Sequence, residues 1–153
     1  MTTPEGFTWT TTDDAIANGK SEASIARGEP GANGSTGALE ITAKVKGGFP
    51  FPWAGASLAF SEDFNAGRSL ENFETISFDV RGAPGIYRAM FFNAGEQGVP
   101  PTVTFSITED WRRITLNLTD FSGLSANYVS GFALVAGPEL GEFIYMVDNV
   151  RFE

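Results

Sequence analysis

Apolar and polar residues alternate along much of the chain, with the period of two that is typical of a β-strand with one buried face. In residues 37–46, every second residue from Leu39 to Val45 is apolar, and the residues between them are polar or charged. The same alternation occurs in three further segments, residues 74–82, 103–108 and 112–118. These four segments are therefore predicted strands with one face towards a core.

Five more segments are rich in valine, isoleucine, threonine and phenylalanine, which strands prefer. They are residues 23–27, 54–60, 86–93, 129–136 and 142–152. Clusters of glycine and proline separate the strands and indicate tight turns. A short helical turn is predicted at residues 13–18 or 124–128, and no longer helical period occurs. Nine short strands without helices between them favour an all-β fold, an antiparallel β-sandwich of jelly-roll type.

Composition narrows the function. The chain has 153 residues, which is the size of one domain, so we expect residues 1–153 to form a single jelly roll. It contains no cysteine and no histidine. This excludes thiol and imidazole nucleophiles, histidine general bases, Ser-His-Asp triads and thiolate or imidazole zinc sites. We therefore do not expect an enzyme that depends on these groups.

Acidic residues outnumber basic ones by 19 to 10, which gives a formal net charge of −9. This charge repels phosphate, so we expect neither nucleic acid nor an anionic membrane as a partner. Neutral carbohydrates and cations carry no such penalty. The first residues lack the basic and apolar regions of a signal peptide. The compartment stays open, with a secreted or periplasmic location slightly favoured over the cytoplasm.

A candidate ligand-binding face comes from a predicted hairpin over residues 74–93, with its turn at residues 82–85. This register places Arg81 opposite Ile86 and Asp79 opposite Arg88. One face of the hairpin is core, and the other combines an ion pair with apolar side chains. Flat apolar surface suits a sugar ring, and forked donors and carboxylates suit its hydroxyls. The predicted ligand residues here are Asp79, Arg81, Arg88 and Phe92; the alternative is an ordinary cross-strand salt bridge.

Trp53 is a further candidate, because it lies in the segment GGFPFPWAGA. Two prolines and several glycines restrict the backbone around a large aromatic side chain. An exposed tryptophan on a rigid turn is a stacking platform that loses little entropy on binding. The alternative is a tryptophan that covers one end of the core.

Asp148 lies in the segment EFIYMVDNVRF and shares strand parity with Ile144, Met146, Val150 and Phe152. A carboxylate on an apolar face must be paired, hydrogen-bonded or bound to a metal. Calcium is the candidate, because it takes six to eight oxygen ligands. The predicted partners are oxygen-bearing residues near the start of the chain, Asp13 or Asp14, Asn18 and Glu22. The alternative is an aspartate that accepts backbone N–H groups or meets an arginine.

Several segments in fixed order carry a family resemblance. They are GKSEASI, GSTGALEI, GGFPFPWAGA, ISFDVRG, GIYRAMFF, DWRRITLNLTDFSG and GEFIYMVDNV. Together, from about Trp9 to Phe152, they resemble the complex I intermediate-associated protein family in its bacterial form, which is often appended to hydrolases or encoded beside them. The resemblance implies a galactose-binding-like jelly roll, similar to non-catalytic carbohydrate-binding modules. In those modules the aspartate of the final strand commonly helps to hold a structural calcium ion, and here that position is Asp148.

The leading hypothesis is a non-catalytic carbohydrate-binding domain with a structural calcium ion. The alternative is a protein-interaction or assembly domain, as the mitochondrial members of the resembled family imply. That alternative requires a contiguous exposed apolar patch. A longer parent chain also stays open. A glycosidase is the third hypothesis; it would need two carboxylates about 5–10 Å apart across a cleft, and the adjacent acidic doublets cannot supply them.

Overall fold

A computed structural model describes residues 7–63 and 65–153. Its strands are β1 (Thr8–Asp13), β2 (Glu22–Gly28), β3 (Ala38–Val45), β4 (Ala54–Ala59), β5 (Thr75–Gly82), β6 (Gly85–Asn93), β7 (Thr102–Ile107), β8 (Arg112–Asn117), β9 (Val129–Ala136) and β10 (Gly141–Phe152). The predicted single domain of residues 1–153 includes residues 1–6 and 64, which lie outside this description. The nine predicted strands all form. The sequence prediction missed β1, because TWTTTD offers one apolar residue and no alternation.

The strands form two five-stranded sheets, in which every pairing between strands is antiparallel. We call the sheet with the order β1-β4-β9-β6-β7 the front sheet, and the sheet with the order β2-β3-β10-β5-β8 the back sheet. The predicted antiparallel β-sandwich of jelly-roll type is confirmed. Short 3₁₀ turns occur at Asp14–Ala17, Ala32–Gly34 and Leu118–Asp120. The first of them confirms the predicted helical turn at residues 13–18, whereas residues 124–128 are not helical.

The core lies between the two sheets and contains the inward half of each strand. Phe78 of the back sheet packs edge-on against Phe105 of the front sheet. The hydroxyl of Tyr145 crosses the core and donates a hydrogen bond of 2.8 Å to the carbonyl of Leu134. Burial raises the pKa of Tyr145 well above its ordinary value, so this hydroxyl keeps its proton. The alternation in the sequence therefore identifies the buried faces correctly.

The predicted hairpin over residues 74–93 is wrong. β5 pairs with β8 and β10 in the back sheet, whereas β6 pairs with β7 and β9 in the front sheet. Residues 82–85 carry the chain from one sheet to the other. At Gly82, an added Cβ would lie 2.5 Å from the backbone of Tyr145, so only glycine fits this close approach. Alternation shows which side of a strand is buried, but two strands that face each other across a core show the same alternation as two paired strands.

The predicted inward direction of Asp148 is also wrong. In the first part of β10 the inward residues are Phe143, Tyr145 and Val147, which have the opposite parity. The register between β10 and β5 then shifts between Asp148 and Arg151, and Asn149 has a left-handed φ of 50°. This bulge reverses the parity, so Val150 and Phe152 after it pack against the core. Asp148 thus lies on the outward face of the back sheet.

The two sheets also meet at their edges. Arg112 of β8 donates a hydrogen bond of 3.2 Å from Nη1 to the hydroxyl of Ser106 on β7. Both strands are at the edge of their sheet. In the part of the chain that the structure describes, no helix is long and apolar enough to cross a membrane.

Candidate functional site

The outward face of the front sheet, here called the front face, is built from rows of residues that cross all five strands. One row is Thr10, Ser57, Ala133, Met90 and Thr102. The next row is Thr12, Gly55, Val135, Arg88 and Thr104. In both rows the hydroxyl side chains lie towards the edges of the sheet and the larger apolar side chains lie near its centre. The face thus has an apolar strip with hydroxyl groups on both sides.

The apolar strip is well packed although it is on the outside of the sandwich. Met90, Ala133 and Val135 are buried and form a small cluster separate from the main core. Trp53 and Phe92 pack against this cluster and are themselves half-buried. Aromatic side chains that keep one part exposed over a packed base are suitable surfaces for the apolar face of a sugar ring.

Arg88 lies on β6, between the apolar strip and the edge strand β7 of the front face. Its Nη2 donates a long hydrogen bond of 3.4 Å to the carbonyl of Pro52, next to Trp53. Its Nε is buried and has no acceptor among the described residues. Burial lowers the pKa of Arg88, but a guanidinium at a lowered pKa still carries its charge at neutral pH. Arg88 is therefore a charged donor with unused hydrogen-bonding capacity.

Carboxylates are almost absent from the front sheet. Among the residues of its five strands, only Asp13 and Arg88 are charged. Asp13 is the last residue of β1, and its carboxylate accepts a hydrogen bond from the backbone N–H of Ala15. The front face therefore presents one cation and a set of neutral hydroxyls, in a chain whose net charge is −9.

Residues 46–53, here called the aromatic loop, connect β3 to β4 and end at the front face. The ring of Phe49 meets Trp53 edge-on, with ring centres 5.6 Å apart. Phe51 is 67% exposed. The loop thus places three aromatic side chains within a few residues of each other, and Trp53 is the one packed on the apolar strip.

The five predicted ligand residues do not form one group. Trp53, Arg88 and Phe92 come together on the front face, as described above. Asp79 and Arg81 lie on the outward face of the back sheet, here called the back face, because β5 belongs to that sheet. The predicted pairing of Asp79 with Arg88 is therefore wrong; β5 and β6 are on opposite sides of the core.

On the back face Asp79 has partners of its own. Its Oδ2 accepts hydrogen bonds from Nη1 of Arg113 at 3.2 Å and from the amide of Asn149 at 2.8 Å. Arg113 also donates to the hydroxyl of Ser77 at 2.8 Å. The guanidinium of Arg81 instead lies over a tryptophan ring, that of Trp111, at 5.5 Å from the ring centre. Asp79 in particular is a buried structural acceptor.

The four acidic residues predicted as calcium ligands, Asp13, Asp14, Glu22 and Asp148, do not meet at one site. In the strand register, Glu22 of β2 lies opposite Lys44 of β3, and Lys44 lies opposite Glu142 of β10. Asp148 is six residues further along β10, about 20 Å away at the rise of a strand. Within residues 7–63 and 65–153, no group of three or more acidic, histidine or cysteine side chains is arranged to hold a metal ion. The predicted grouping is therefore wrong, and calcium itself stays a prediction.

Each of these carboxylates has another role. Asp14 is fully buried and accepts hydrogen bonds from Ser21 and Trp53. Glu22 is exposed, and a hydrogen bond from Lys46 together with its charge lowers the pKa of Glu22. Asp148 accepts the backbone N–H groups of Ala32 at 2.9 Å and Asn149 at 2.8 Å. For Asp148 this is the alternative that the sequence left open.

Two cavities lie away from the front face. One, of about 340 Å³, lies beside the link between β5 and β6, at Arg81, Pro84 and Glu109. The other, of about 360 Å³, has four phenylalanines in its lining, among them Phe60 and Phe152. Neither cavity contains the hydroxyl side chains of the front face. The front face itself is an open surface and not an enclosed pocket.

Sequence reasoning missed Ala133 and Val135 as part of the site. A signal was available, because β9 reads VSGFALVA and is buried along its whole length. A strand with apolar residues on both sides must be covered on both faces. Since the core covers one face, the other has to be covered by outward aromatic side chains, here Trp53 and Phe92.

Comparisons with known proteins bear on the fold. No protein-family model matches the chain, and no curated protein matches it. The resemblance to the complex I intermediate-associated family therefore gains no support.

Solved structures do match. The family 11 carbohydrate-binding module of a cellulosomal cellulase of Clostridium thermocellum is 16% identical, with a TM-score of 0.71 over 94% of this chain and 86% of that one. The family 11 module from Clostridium thermocellum in complex with a β-1,3-1,4-mixed-linked tetrasaccharide is 17% identical, with a TM-score of 0.70 over 94% and 87%. The family 30 module of another cellulosomal cellulase of Clostridium thermocellum is 12% identical, with a TM-score of 0.65 over 85% and 82%. The chain thus has the jelly-roll fold that carbohydrate-binding modules adopt.

Proposed function

We propose that the chain is a non-catalytic carbohydrate-binding domain and that its ligand lies across the front face. The observation that carries the proposal is the apolar strip under Trp53 and Phe92, with hydroxyl side chains on both sides and Arg88 beside it. Stacking surface and neutral hydrogen-bonding groups are the two things that a sugar chain needs from a protein. The shared fold with carbohydrate-binding modules supports the same proposal.

The extent of the face favours an oligosaccharide over a single sugar. Neighbouring strands lie about 4.8 Å apart, so rows that cross five strands extend over roughly 19 Å. The hydroxyls at both edges of the rows belong to Thr10, Thr12, Thr102 and Thr104. A ligand that spans the rows would contact hydroxyls at both edges and the apolar strip between them.

The front face lacks the groups for glycoside hydrolysis. A glycosidase uses two carboxyl groups that flank the scissile bond. In the described strands of the front sheet, Asp13 is the only carboxylate, and it accepts a backbone hydrogen bond. Binding without catalysis is therefore the proposal that fits this surface.

The direct test is a glycan array followed by calorimetry. Because a similar family 11 module was solved with a β-1,3-1,4-mixed-linked tetrasaccharide, mixed-linked glucan oligosaccharides are the first probe. We expect affinity to rise with chain length up to about four sugar units and to level off beyond that. An array without any bound glycan, followed by calorimetry without heat from mixed-linked, cellulosic or xylan oligosaccharides, would overturn the proposal.

The protein-interaction alternative gains no support from the surface. The exposed large apolar residues belong to separate loops and strands, among them Ile16, Phe51, Val99 and Tyr128. Large contiguous apolar patches mark protein interfaces, and single exposed residues do not.

A structural calcium ion is a separate proposal, and Asp148 is now its candidate ligand. Three oxygens lie close together beside Gly31: Ser35 Oγ, Asp148 Oδ2 and the carbonyl of Gly37. Calcium prefers such a mixture of oxygen ligands. Because Ala32 already donates to the same Oδ2, the metal would have to share this oxygen.

Melting curves test the calcium proposal. An ion that binds only the folded chain raises the melting temperature as its concentration rises. We expect added calcium to raise the melting temperature by several degrees over a chelator, and Asp148→Asn to abolish the difference. Identical curves with calcium and with chelator would contradict this proposal and leave the carbohydrate proposal untouched.

A further inference from the structure

We infer that Asp14 is a positioning residue for Trp53, and that Asp14 and Ser21 together hold the aromatic loop against the front face. The inference rests on the proposed function, since Trp53 is the proposed stacking residue. Neither Asp14 nor Ser21 belongs to the front face itself. Their effect on a ligand would come through the loop.

Asp14 binds both backbone polar groups of Trp53. Oδ2 of Asp14 accepts a hydrogen bond of 3.2 Å from the N–H of Trp53. The N–H of Asp14 donates a hydrogen bond of 3.1 Å to the carbonyl of Trp53. These two bonds fix the peptide groups on both sides of the Trp53 Cα, and so the direction in which the side chain leaves the backbone.

Ser21 connects Asp14 to the other end of the aromatic loop. Oδ1 of Asp14 accepts from the N–H of Ser21 at 2.9 Å, and Oδ2 accepts from its hydroxyl at 2.8 Å. The same hydroxyl oxygen accepts the N–H of Lys46 at 3.0 Å. Lys46 is the first residue of the aromatic loop and Trp53 is the last, so one carboxylate and one hydroxyl hold both ends.

Asp14 and Ser21 are both buried, so few other residue types could take their positions. Asp14 is 0% exposed and Ser21 is 2% exposed. A buried carboxylate is costly unless donors surround it, and here three donors do. Gly19 leaves room for the carboxylate, because an added Cβ there would lie 2.1 Å from Oδ1 of Asp14. A loop held in this way loses little entropy when a ligand stacks on it.

The test uses Asp14→Asn, with Asp13→Asn as a matched control. Both oxygens of Asp14 accept N–H groups, and an amide would place its own NH₂ against one of those donors. Asp13 is the neighbouring residue, and its carboxylate accepts only the N–H of Ala15 among the hydrogen bonds of the described residues. The control thus removes the same charge without touching the aromatic loop.

The first measurement needs no ligand. The fluorescence of Trp53 is obtained by subtracting the spectrum of a Trp53→Phe partner from that of each variant. We expect Asp14→Asn to shift this emission to the red and to make it more accessible to acrylamide, with Asp13→Asn like the wild type. An unchanged Trp53 emission in folded Asp14→Asn would overturn the inference. If Asp14→Asn does not fold, Ser21→Ala, which releases Lys46, decides by the same measurement.

The second measurement is affinity for mixed-linked β-1,3-1,4-glucan in a double-variant cycle. We expect Asp14→Asn to weaken binding about tenfold in the wild-type background and not at all in a Trp53→Ala background. Equal losses in both backgrounds would mean a general structural role and would contradict the inference. A wild-type chain that binds no glycan removes the proposed function alone, because the fluorescence result still decides whether Asp14 positions Trp53.

Discussion

The two outward faces of the sandwich differ in the partners of their polar groups. Every strand of the back sheet carries at least two charged residues. Several pair with each other, such as Lys44 with Glu142 and Arg113 with Asp79. On the front face the polar groups are hydroxyls and Arg88, whose Nε has no acceptor in the described chain. The back face pairs charges with each other, whereas the front face has a single cation, Arg88, with hydrogen-bonding capacity left for another molecule.

The difference shows where to look for function in an acidic chain. Exposed ion pairs contribute little to stability, so the pairs of the back face are no sign of a site. The sequence pattern predicts Asp79 and Arg88 as one such pair on one sugar-binding face. Once β5 and β6 are placed in different sheets, the neutral face with the unpaired arginine is the candidate, and the charged face is not.

The largest expected effect comes from removing the aromatic and the cation of the front face together. Trp53→Ala combined with Arg88→Ala should weaken polysaccharide binding at least about 100-fold, since each truncation removes a central contact. Calorimetry measures this. The matched control on the other side is Trp111→Ala combined with Arg81→Ala, an arginine and a tryptophan that contact each other. A loss of binding in the control with retention in the front-face variant would reverse the comparison.

The second effect concerns stability and belongs to the back face. Asp79→Ala removes the acceptor of Arg113 Nη1 and of the Asn149 amide. We expect a loss of about 2 kcal/mol in the free energy of unfolding, because several donors lose one buried partner. Urea denaturation measures it. Affinity for glycan should stay the same, and a tenfold loss of affinity in the folded variant would place Asp79 back in the ligand site.

A new carboxylate should distinguish the faces at a smaller scale. Thr104 and Thr115 are both exposed, and each lies on an edge strand of its sheet. Thr104→Glu places an acid beside Arg88, its register partner, and should lower affinity about fivefold by pairing with the guanidinium. Thr115→Glu on the back face should leave affinity unchanged. Equal losses of glycan affinity for the two substitutions, measured by calorimetric titration, would show that binding responds only to the overall charge of the chain.

The smallest expected effect is that of a single hydroxyl. Ser57 shares a hydrogen bond of 3.1 Å with Thr10 in the first row of the front face. Ser57→Ala should lower affinity about twofold, because water or a neighbouring hydroxyl can replace one neutral hydrogen bond. Ser24→Ala on the back sheet is the control. No loss with Ser57→Ala and a loss with Ser24→Ala would contradict the assignment of the face.

Much of the fold could be predicted because alternation is a local property. The inward residues of β3 and β5 follow from the pattern alone, and so does the all-β class. Local alternation does not say which strand lies beside which, and it fails at a bulge. Asn149 inserts one residue into β10, so the parity that links Asp148 to Val150 in the sequence does not hold in space. The wrong hairpin has the first origin, and the wrong direction of Asp148 has the second.

The site was predictable in part for the same reason. Trp53 stands out because prolines and glycines surround it, and Arg88 and Phe92 share the parity of one strand. The meeting of Trp53 with β6 depends on β9, which lies between β4 and β6 in the front sheet. No segment of the sequence shows that order. The role of Asp14 likewise depends on contacts with residues 7 and 39 positions away, which no local pattern contains.

The hydrogen bond from Arg112 to Ser106 has a consequence for self-association. Edge strands expose unpaired backbone groups, and proteins commonly protect them with charged side chains. β7, an edge of the front sheet, contains no charged residue, as a face for neutral ligands requires. Arg112 reaches over from β8 and supplies the missing charge at this edge. The charge of Arg112, a residue of the back sheet, thus disfavours strand-to-strand pairing at β7 between copies of the chain. The front sheet needs no charged residue of its own in β7 for this protection.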